Sequence, residues 1–345
     1  MNPTEPDPRR VALERWLSAT EAAADLDPAS LRPASNDASF RRYFRIDARA
    51  PGAPSRIVMD APPTHENTHA FAEVAAILAA AGARVPTIHA HDPDQGFMLL
   101  TDFGARTLLA ELQENPASAD ARYRQAGAQL VALQAGADAS TLAPYDHERL
   151  LVELQLFDHW YLDRHLGRPA SDNDMQRLRG CYHRLIEAAL AQPVVCVHRD
   201  YHSRNLMCVD ALGLGVLDFQ DALRGPVTYD LVSLLRDAYI AWPEERTLDW
   251  AIRYWEAARR AGLPVAGDFG EFYRQFEWMG IQRLLKVLGI FARLHHRDDK
   301  PAYLADMPRV LGHLRPMLRR YSEFAFVERL LAERLGDQAT AGYTF

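Results

Sequence analysis

The sequence predicts an α+β fold, with a strand-rich first part and a larger, mainly helical second part. Short apolar segments between residues 31 and 61 are typical of strands and are stopped by Pro62. A further antiparallel pair is expected around a turn at residues 92–95. From Arg106 onward, apolar residues recur at the helical period.

The strand-rich part is expected to contain two helices among its strands. Its predicted elements are a helix over 9–24, strands over 31–36, 40–47 and 55–61, a helix over 64–82, and strands over 87–90 and 96–101. An apolar stripe that includes Val11 and Leu17 supports the first helix. Thr64 or Asn67 can cap the second helix, and Gly82 can end it.

The second part is expected to be mostly helical. Its predicted elements are helices over 106–113, 118–134, 147–166, 172–191 and 269–295, a helix that begins at Tyr229, and strands over 194–197 and 215–217. Ser118 follows Pro116 and is a suitable N-cap. The segment 101–104 is expected to link the two parts, so the predicted domains are residues 1–102 and 103–345.

Composition and charge argue against several classes of protein. The chain has 345 residues, 48% of them hydrophobic and 25% charged, which is ordinary for a globular protein with a large core. A net charge of −7 argues against a nucleic-acid partner. No apolar run reaches membrane-spanning length, and three cysteines indicate neither a disulfide framework nor a zinc site. We therefore expect a cytoplasmic protein with no membrane partner, and a monomer is the favoured state.

The main chemical motif follows an apolar strand at residues 194–197, which leads into a His-Arg-Asp triplet ending at Asp200. Asn205 follows five positions after Asp200, and a second strand ends at Asp218. This layout suits phosphoryl transfer, because the Asp200 carboxylate can orient an attacking hydroxyl and accept its proton. The oxygens of Asn205 and Asp218 suit Mg²⁺, which selects oxygen ligands. His198 is expected to hold the loop rather than to act as an acid or base.

The pattern His-Arg-Asp-x-His-x-x-Asn, followed by Leu-Asp-Phe, resembles the catalytic core of the aminoglycoside phosphotransferase-like kinases. Longer stretches resemble the bacterial anomeric N-acetylmuramate/N-acetylglucosamine kinases of cell-wall recycling, and they are residues 37–45, 58–63, 198–207, 218–230 and 284–294. This resemblance implies a bilobal protein-kinase-like fold, with a small antiparallel-sheet N-terminal lobe and a larger helical C-terminal lobe. It also implies an enzyme that uses ATP and Mg²⁺ and has a small-molecule sugar as its partner. The anomeric hydroxyls of N-acetylmuramate and N-acetylglucosamine would be phosphorylated to the α-1-phosphates.

By the same resemblance, the nucleotide would bind in the first part of the chain. The expected cofactor-binding residues are Ser35, Asn36, Ser39, Arg42, Arg45, Leu100 and Asp102. The turn at 35–39 takes the place of a glycine-rich phosphate loop without containing glycine, although small polar residues can also offer N–H groups to phosphate. The usual phosphate-binding lysine is missing, because the only lysines are Lys286 and Lys300. Arg42 and Arg45 are the candidate replacements, and their odd spacing on a strand means that at most one, with Arg45 favoured, should reach the nucleotide.

Further candidate residues near the motif each have two interpretations. His202 and Arg199 are candidate catalytic residues, but each can instead hold the loop in place. Asp221 either meets substrate or lies in solvent. Helical spacing alone makes Arg236 and Asp237 a surface pair, whereas the resemblance makes them candidate substrate contacts.

Other residues are interpreted as structural or as weaker candidates. Asp230 is a suitable cap for the helix beside it and can also anchor the catalytic loop. Glu66 or Glu73 is a candidate for the glutamate that kinases carry on a helix of the first lobe. A stripe on the long helix, which includes Arg283 and Lys286, favours core packing and surface ion pairs over a sugar platform.

Two other functions remain open at this point. One is another small-molecule phosphotransferase of this fold, acting on an aminoglycoside, a choline-like amine, homoserine or a thiosugar. The other is a non-catalytic nucleotide-binding regulator, which the missing lysine and the glycine-free loop favour. Against a regulator stands the complete set of Asp200, Asn205 and Asp218.

Overall fold

The structure is a computed structural model that describes residues 7–36, 40–209 and 213–336. Its α-helices are α1 (Pro8–Ala19), α2 (Thr68–Ala80), α3 (Leu108–Glu114), α4 (Ala119–Gly136), α5 (His147–Leu156), α6 (Asp172–Leu190), α7 (Tyr229–Leu235), α8 (Glu244–Arg260), α9 (Phe269–His296), α10 (Met307–Arg320) and α11 (Ala325–Leu335). Its strands are β1 (Arg32–Asn36), β2 (Arg42–Ile46), β3 (Arg56–Asp60), β4 (Ile88–Asp92), β5 (Phe97–Thr101), β6 (Val194–Val197), β7 (Leu206–Cys208), β8 (Leu214–Val216) and β9 (Leu223–Pro226). The predicted α+β class is confirmed.

The chain divides into two compact units. Unit 1 comprises residues 1–106 and 207–221, and unit 2 comprises residues 107–206 and 222–345. Unit 1 therefore includes the segment that carries Asp218. The predicted domain boundary between residues 102 and 103 stays a prediction.

Unit 1 is built on a five-stranded antiparallel sheet in the order β1-β2-β3-β5-β4. Successive side chains of a strand point to opposite faces, and on β2 this places Phe44 and Ile46 in the core with Leu13 and Leu17 of α1. Val11 is 40% exposed, so its predicted place in the apolar stripe is wrong.

Thr64 and Asn67 are the two predicted caps of α2, and the structure selects between them. The Asn67 side chain accepts hydrogen bonds from the backbone N–H groups of His69 and Ala70, which satisfies two donors that a helix start leaves open. Asn67 therefore caps α2, and its prediction is confirmed.

Unit 2 is organised around α9, a helix of 28 residues that is buried along most of its length. At Gly289 it lies so close to α5 that an added Cβ would stand 2.4 Å from the carbonyl group of Leu156. From Phe157 the chain continues as a π-helix to His165, so the predicted helix over 147–166 has the right extent but two hydrogen-bond patterns. This close packing fixes α5 and α9 against each other.

One predicted cap in unit 2 is wrong. Ser118 takes the N-cap position of α4 but makes no side-chain cap bond. Its hydroxyl instead donates to the carbonyl of Asn115, across a short 3₁₀ turn.

The remaining strands form two small ladders. The predicted strand at 194–197 is β6, and it pairs antiparallel with β9 in unit 2. Strands β7 and β8 form the second ladder. None of the described helices combines the length and the apolar character needed to cross a bilayer.

Candidate active site

The loop after β6 carries the His-Arg-Asp triplet, and its backbone is held in a strained conformation. Arg199 has a φ of 78°, in the left-handed region that residues with a side chain rarely adopt. The buried Asp230 carboxylate accepts hydrogen bonds from the backbone N–H groups of His198, at 2.7 Å, and Arg199, at 2.9 Å. Asp230 therefore anchors the loop, whereas the predicted cap of α7 is wrong because that helix has Thr228 at its N-cap position.

The burial of Asp230 has an electrostatic consequence. It is fully enclosed, and burial raises its pKa to about 6 despite the two amide bonds that favour the carboxylate. This buried carboxyl group is therefore costly to ionise.

A second buried carboxylate, Asp237, holds the far side of the same loop. One of its oxygens accepts from the N–H of Ser203 at 2.9 Å, and the other accepts from the N–H of Tyr239 at 2.9 Å. Its neighbour Arg236 forms a bidentate pair with Glu244, at 2.8 and 2.9 Å. The structure thus shows both residues engaged within the protein, and their predicted substrate contacts stay predictions.

Asp200 follows the strained residue and is accessible. Its side chain is 45% exposed, in contrast to the two buried anchors. The partial enclosure of the Asp200 carboxyl group raises its pKa, but the basic side chains nearby, His202 and Lys286 among them, outweigh this and lower the pKa to about 2. The carboxylate is therefore ionised at neutral pH. The Asn205 amide nitrogen donates to the Asp200 carbonyl at 3.1 Å, so a metal ligand from Asn205 would be its oxygen.

A cluster of charged side chains lies beneath the loop, centred on the buried Glu153. Its carboxylate accepts from Arg199 at 2.5 Å and from Lys286 at 2.9 Å, and it also accepts from the Tyr145 hydroxyl. Lys286 reaches the Tyr229 hydroxyl at 3.0 Å. Burial raises the pKa of Glu153, but Lys286 and Arg199 outweigh burial and lower it.

This charged cluster was not predicted, although the sequence contains one signal for it. Glu153 stands between Leu150 and Leu154 on the apolar face of α5, where an unpaired carboxylate would be costly. The arrangement ties the Arg199 side chain down, which is one of its two predicted interpretations. Its predicted catalytic role stays a prediction.

His202 lies on the loop beside an aromatic side chain. Its ring meets Tyr239 edge to face, with 5.3 Å between the ring centres. The guanidinium of Arg204 lies 3.5 Å from the centre of the same Tyr239 ring. The structure therefore shows His202 in loop packing, and its predicted catalytic contact stays a prediction.

In unit 1, the second aspartate of the motif also has an unusual backbone. Asp218 has a φ of 62°, and its Oδ1 accepts from Arg41 at 3.1 Å and from Gln220 at 3.0 Å. Gln220 also donates to Asp221 at 3.2 Å. Strained residues are frequent in functional sites, so this geometry supports a chemical role for Asp218.

Arg41 is the residue that the sequence prediction missed in this unit. It is only 8% exposed, its Nη2 contacts Asp218, and its Nε lies 3.9 Å from a Glu66 oxygen. A small cavity, with room for about one water, lies beside Arg41, Glu66 and Gln220. The burial of Arg41 depends on residues that are distant in sequence, so the sequence gives no local signal for it apart from its position next to Arg42.

The predicted nucleotide-binding arginines are both paired with carboxylates inside unit 1. Arg42 binds Asp60, and also Asp7, while Arg45 holds Asp102 in a bidentate pair at 2.5 and 3.0 Å. The two arginines have different aspartate partners, in keeping with the opposite faces predicted for them.

The other predicted nucleotide-binding residues lie on β1 and β5 or outside the described part. Leu100 belongs to β5 and pairs with Ile57 of β3. Ser35 and Asn36 belong to strand β1, and Ser39 lies outside the described residues. The nucleotide-binding role of this whole set stays a prediction.

The two side chains predicted to hold a metal ion are oxygen donors, the kind that Mg²⁺ prefers. The candidates are one carboxylate, Asp218, and one amide oxygen, Asn205, and Mg²⁺ commonly takes few protein oxygens together with substrate phosphates. Within the described ranges, no three His, Cys, Asp or Glu side chains gather as metal ligands.

The fold and these residues define a phosphotransferase, and the chain belongs to the Phosphotransferase enzyme family, which it matches over residues 30–269. It is 46% identical to the N-acetylmuramate/N-acetylglucosamine kinase of Pseudomonas aeruginosa, over 94% of this chain and 97% of that protein. It is also 46% identical to the enzyme of the same name from Neisseria meningitidis, over 98% of this chain and 99% of that protein. The predicted resemblance is confirmed, and the chain is an enzyme of the kinase type.

A solved structure supports the fold independently of sequence. The ADP-bound aminoglycoside phosphotransferase APH(2'')-Ib matches with a TM-score of 0.56 at 15% identity, over 90% of this chain and 99% of that protein. At this identity the match concerns the fold alone, and it confirms the predicted kinase-like class.

Proposed function

We propose that the protein transfers a phosphoryl group from ATP to the anomeric hydroxyl of N-acetylmuramate and N-acetylglucosamine, giving the α-1-phosphates. The observation that carries this proposal is the accessible, ionised Asp200 on an anchored loop, in a chain that matches sugar kinases over nearly its full length. An anomeric hydroxyl is more acidic than an ordinary alcohol, so a weakly basic carboxylate is sufficient to orient it and to take its proton late in the transfer.

The loop anchors give Asp200 its role. Asp230 and Asp237 fix the backbone on either side of it, so that the carboxylate is positioned before the sugar binds. Preorganisation of this kind lowers the cost of reaching the reactive geometry. Loss of a buried anchor would therefore reduce kcat by displacing Asp200.

Bound ATP would supply the phosphoryl group, and Mg²⁺ would neutralise the charge on its phosphate oxygens. For the metal we propose the Asn205 amide oxygen and the Asp218 carboxylate as ligands. For the nucleotide we propose the backbone of Leu99 to Asp102 and the turn at 35–39. Arg42 and Arg45 are the predicted candidates for the phosphate-binding role of the missing lysine. We add Arg41 as a third candidate, because it lies beside Asp218.

The test is the identity of the phosphorylated carbon. The purified protein is incubated with MgATP and each N-acetyl sugar, and the product is analysed by ³¹P and ¹³C NMR. We expect phosphate on the anomeric carbon, with ADP formed in equal amount. Phosphate on any other carbon, or no turnover of either sugar, would reject the proposed reaction.

The matched variant is Asp200→Asn, which keeps the shape of the side chain and removes its charge. We expect turnover to fall by about 10²–10⁴-fold, the usual contribution of a positioned base, while MgADP still binds in calorimetry. Wild-type turnover in this variant would reject the role of Asp200.

A further inference from the structure

One buried cation beside Asp200, Arg283, leaves two of its guanidinium nitrogens without a hydrogen-bond partner in the part of the chain that the structure describes. Arg283 of α9 is 4% exposed, and its Nη2 lies 3.8 Å from Asp200 Oδ1, which is too long for a hydrogen bond. Its Nε and Nη1 are also buried, and neither has a hydrogen-bond partner among the described residues. A buried guanidinium normally pairs its N–H groups, because leaving them unpaired is costly.

The neighbouring carboxylates do not serve Arg283. Glu153 accepts from Arg199 and Lys286, and Asp230 accepts from two backbone amides. Asp200 must remain available to the sugar hydroxyl. Among the described residues, the planar fork of Arg283 therefore has a carboxylate at ion-pair distance, Asp200, but none at hydrogen-bond distance. A bidentate carboxylate is the ligand that best matches such a fork.

The two proposed sugars differ in the group that this fork would bind. N-acetylmuramate carries a lactyl ether on C3 that ends in a carboxylate, and N-acetylglucosamine has a hydroxyl there. Asp200 fixes the position of the anomeric oxygen on C1, two ring carbons away. An arginine in contact range of Asp200 is therefore within reach of a substituent on C3.

We propose that Arg283 binds the lactyl carboxylate of N-acetylmuramate and so determines the use of this acidic sugar. The inference rests on the proposed function, since it assumes that both sugars present C1 to Asp200. It assigns to Arg283 a specificity role, distinct from the core packing that helical spacing alone predicts.

The first experiment measures kcat/KM for both sugars in the wild type, Arg283→Met and Arg283→Lys. Hydrogen bonds to a charged group contribute about ten- to a hundredfold. We expect the ratio of kcat/KM for N-acetylmuramate over N-acetylglucosamine to fall by about that factor in Arg283→Met. The fall should be smaller in Arg283→Lys, which keeps the charge without the fork. Any effect of Arg283 on Asp200 is shared by both sugars and cancels in the ratio.

The second experiment changes the substrate and leaves the protein intact. N-acetylmuramate with its carboxyl converted to the primary amide should lose about ten- to a hundredfold in kcat/KM with the wild type, and should lose little more with Arg283→Met. The control variant is Arg274→Met, on the exposed side of the same helix over the Trp278 ring, which should leave the ratio unchanged.

Two outcomes would overturn the inference. An equal loss on both sugars in Arg283→Met would assign Arg283 to Asp200 or to the phosphoryl group, and equal use of the acid and the amide by the wild type would remove the carboxylate contact. If the wild type phosphorylates neither sugar, the proposed function itself fails. Calorimetric binding of N-acetylmuramate to Asp200→Asn, with and without Arg283→Met, separates recognition from turnover.

Discussion

The two units pair their charged side chains in different ways. Unit 1 pairs the arginines of β2, and unit 2 pairs the charged residues beneath the loop that carries the His-Arg-Asp triplet. Arg42 and Arg45 are held by aspartates while their side chains stay 40% and 21% exposed. In unit 2, Arg199 and Lys286 share the single carboxylate of Glu153, and Glu153 and Lys286 are both buried. In both arrangements the carboxylates are buried and the arginines reach solvent, and the enclosed lysine, Lys286, is what sets the cluster of unit 2 apart.

This difference determines what each arrangement can do. In unit 1, water can solvate Arg42 or Arg45 if the pair opens, but the aspartate partner is buried and would be left uncompensated. In an enclosed cluster, the loss of one member leaves an uncompensated charge. We therefore expect the cluster to fix the Arg199 conformation next to Asp200, and Arg42 and Arg45 to stay paired with their aspartates.

The largest expected effect is the loss of Glu153. Glu153→Gln removes the one negative charge that Arg199 and Lys286 share, and breaking a buried pair in this way costs roughly 3–5 kcal/mol of unfolding free energy. The matched control is Glu14→Gln in unit 1, where Glu14 pairs with Arg10 at 2.6 Å near the surface. We expect less than about 1 kcal/mol there. Urea unfolding of both variants at pH 7 measures the difference, and equal losses would contradict the contrast between a buried cluster and an exposed pair.

The pH dependence of stability sharpens the comparison of the two units, because folding shifts the pKa values of one aspartate in unit 1 and one in unit 2 in opposite directions. Burial raises the pKa of Asp102, but hydrogen bonds from Arg45 and Ser55 outweigh it and lower the pKa. Burial raises the pKa of Asp230 to about 6. A carboxyl group whose pKa is lowered by folding stabilises the fold at pH values above its pKa in the unfolded chain. This stabilisation is lost as the pH falls through the pKa of the folded protein. A raised pKa stabilises the fold below the ordinary value and loses the effect as pH rises towards 6.

The measurement is the difference in unfolding free energy between the wild type and each Asp→Asn variant. For Asp230→Asn, the wild type should lose up to roughly 3 kcal/mol relative to the variant between pH 4 and pH 6. For Asp102→Asn, the difference should stay flat over that range and change only at lower pH. A slope of the other sign for Asp230 would show that its carboxylate is stabilised by the loop amides rather than penalised by burial.

Much of the fold was predictable because its signals are local. The strands of unit 1 and the long helix α9 follow from apolar spacing, and the Asn67 cap follows from its position before an apolar run. The His-Arg-Asp triplet could be singled out because its residues are adjacent in sequence. The predicted convergence of Asp200, Asn205 and Asp218 stays a prediction.

The rest depends on contacts between distant parts of the chain. The surroundings of Arg41 come from Glu66 and Asp218. The place of Arg283 comes from the packing of α9 against the loop with Asp200, a residue that precedes Arg283 by about eighty positions. The positive φ of Arg199 and Asp218 has no local signal either, since neither residue is a glycine. Such features arise only when the tertiary structure overrides local preference.

The smallest expected effect decides which arginine of unit 1 takes the place of the missing lysine. Arg41→Met should raise the Kd for MgADP by about tenfold, because its guanidinium lies beside the proposed magnesium ligand Asp218. Arg45→Met should change it by less than about threefold, because Arg45 is committed to Asp102 and to the carbonyl of Gly104. Calorimetry with MgADP compares the two variants, and thermal unfolding confirms that both are folded. A larger loss in Arg45→Met would instead assign the phosphate contact to Arg45, as the strand pattern alone favours, and would show that its pair with Asp102 opens for the nucleotide.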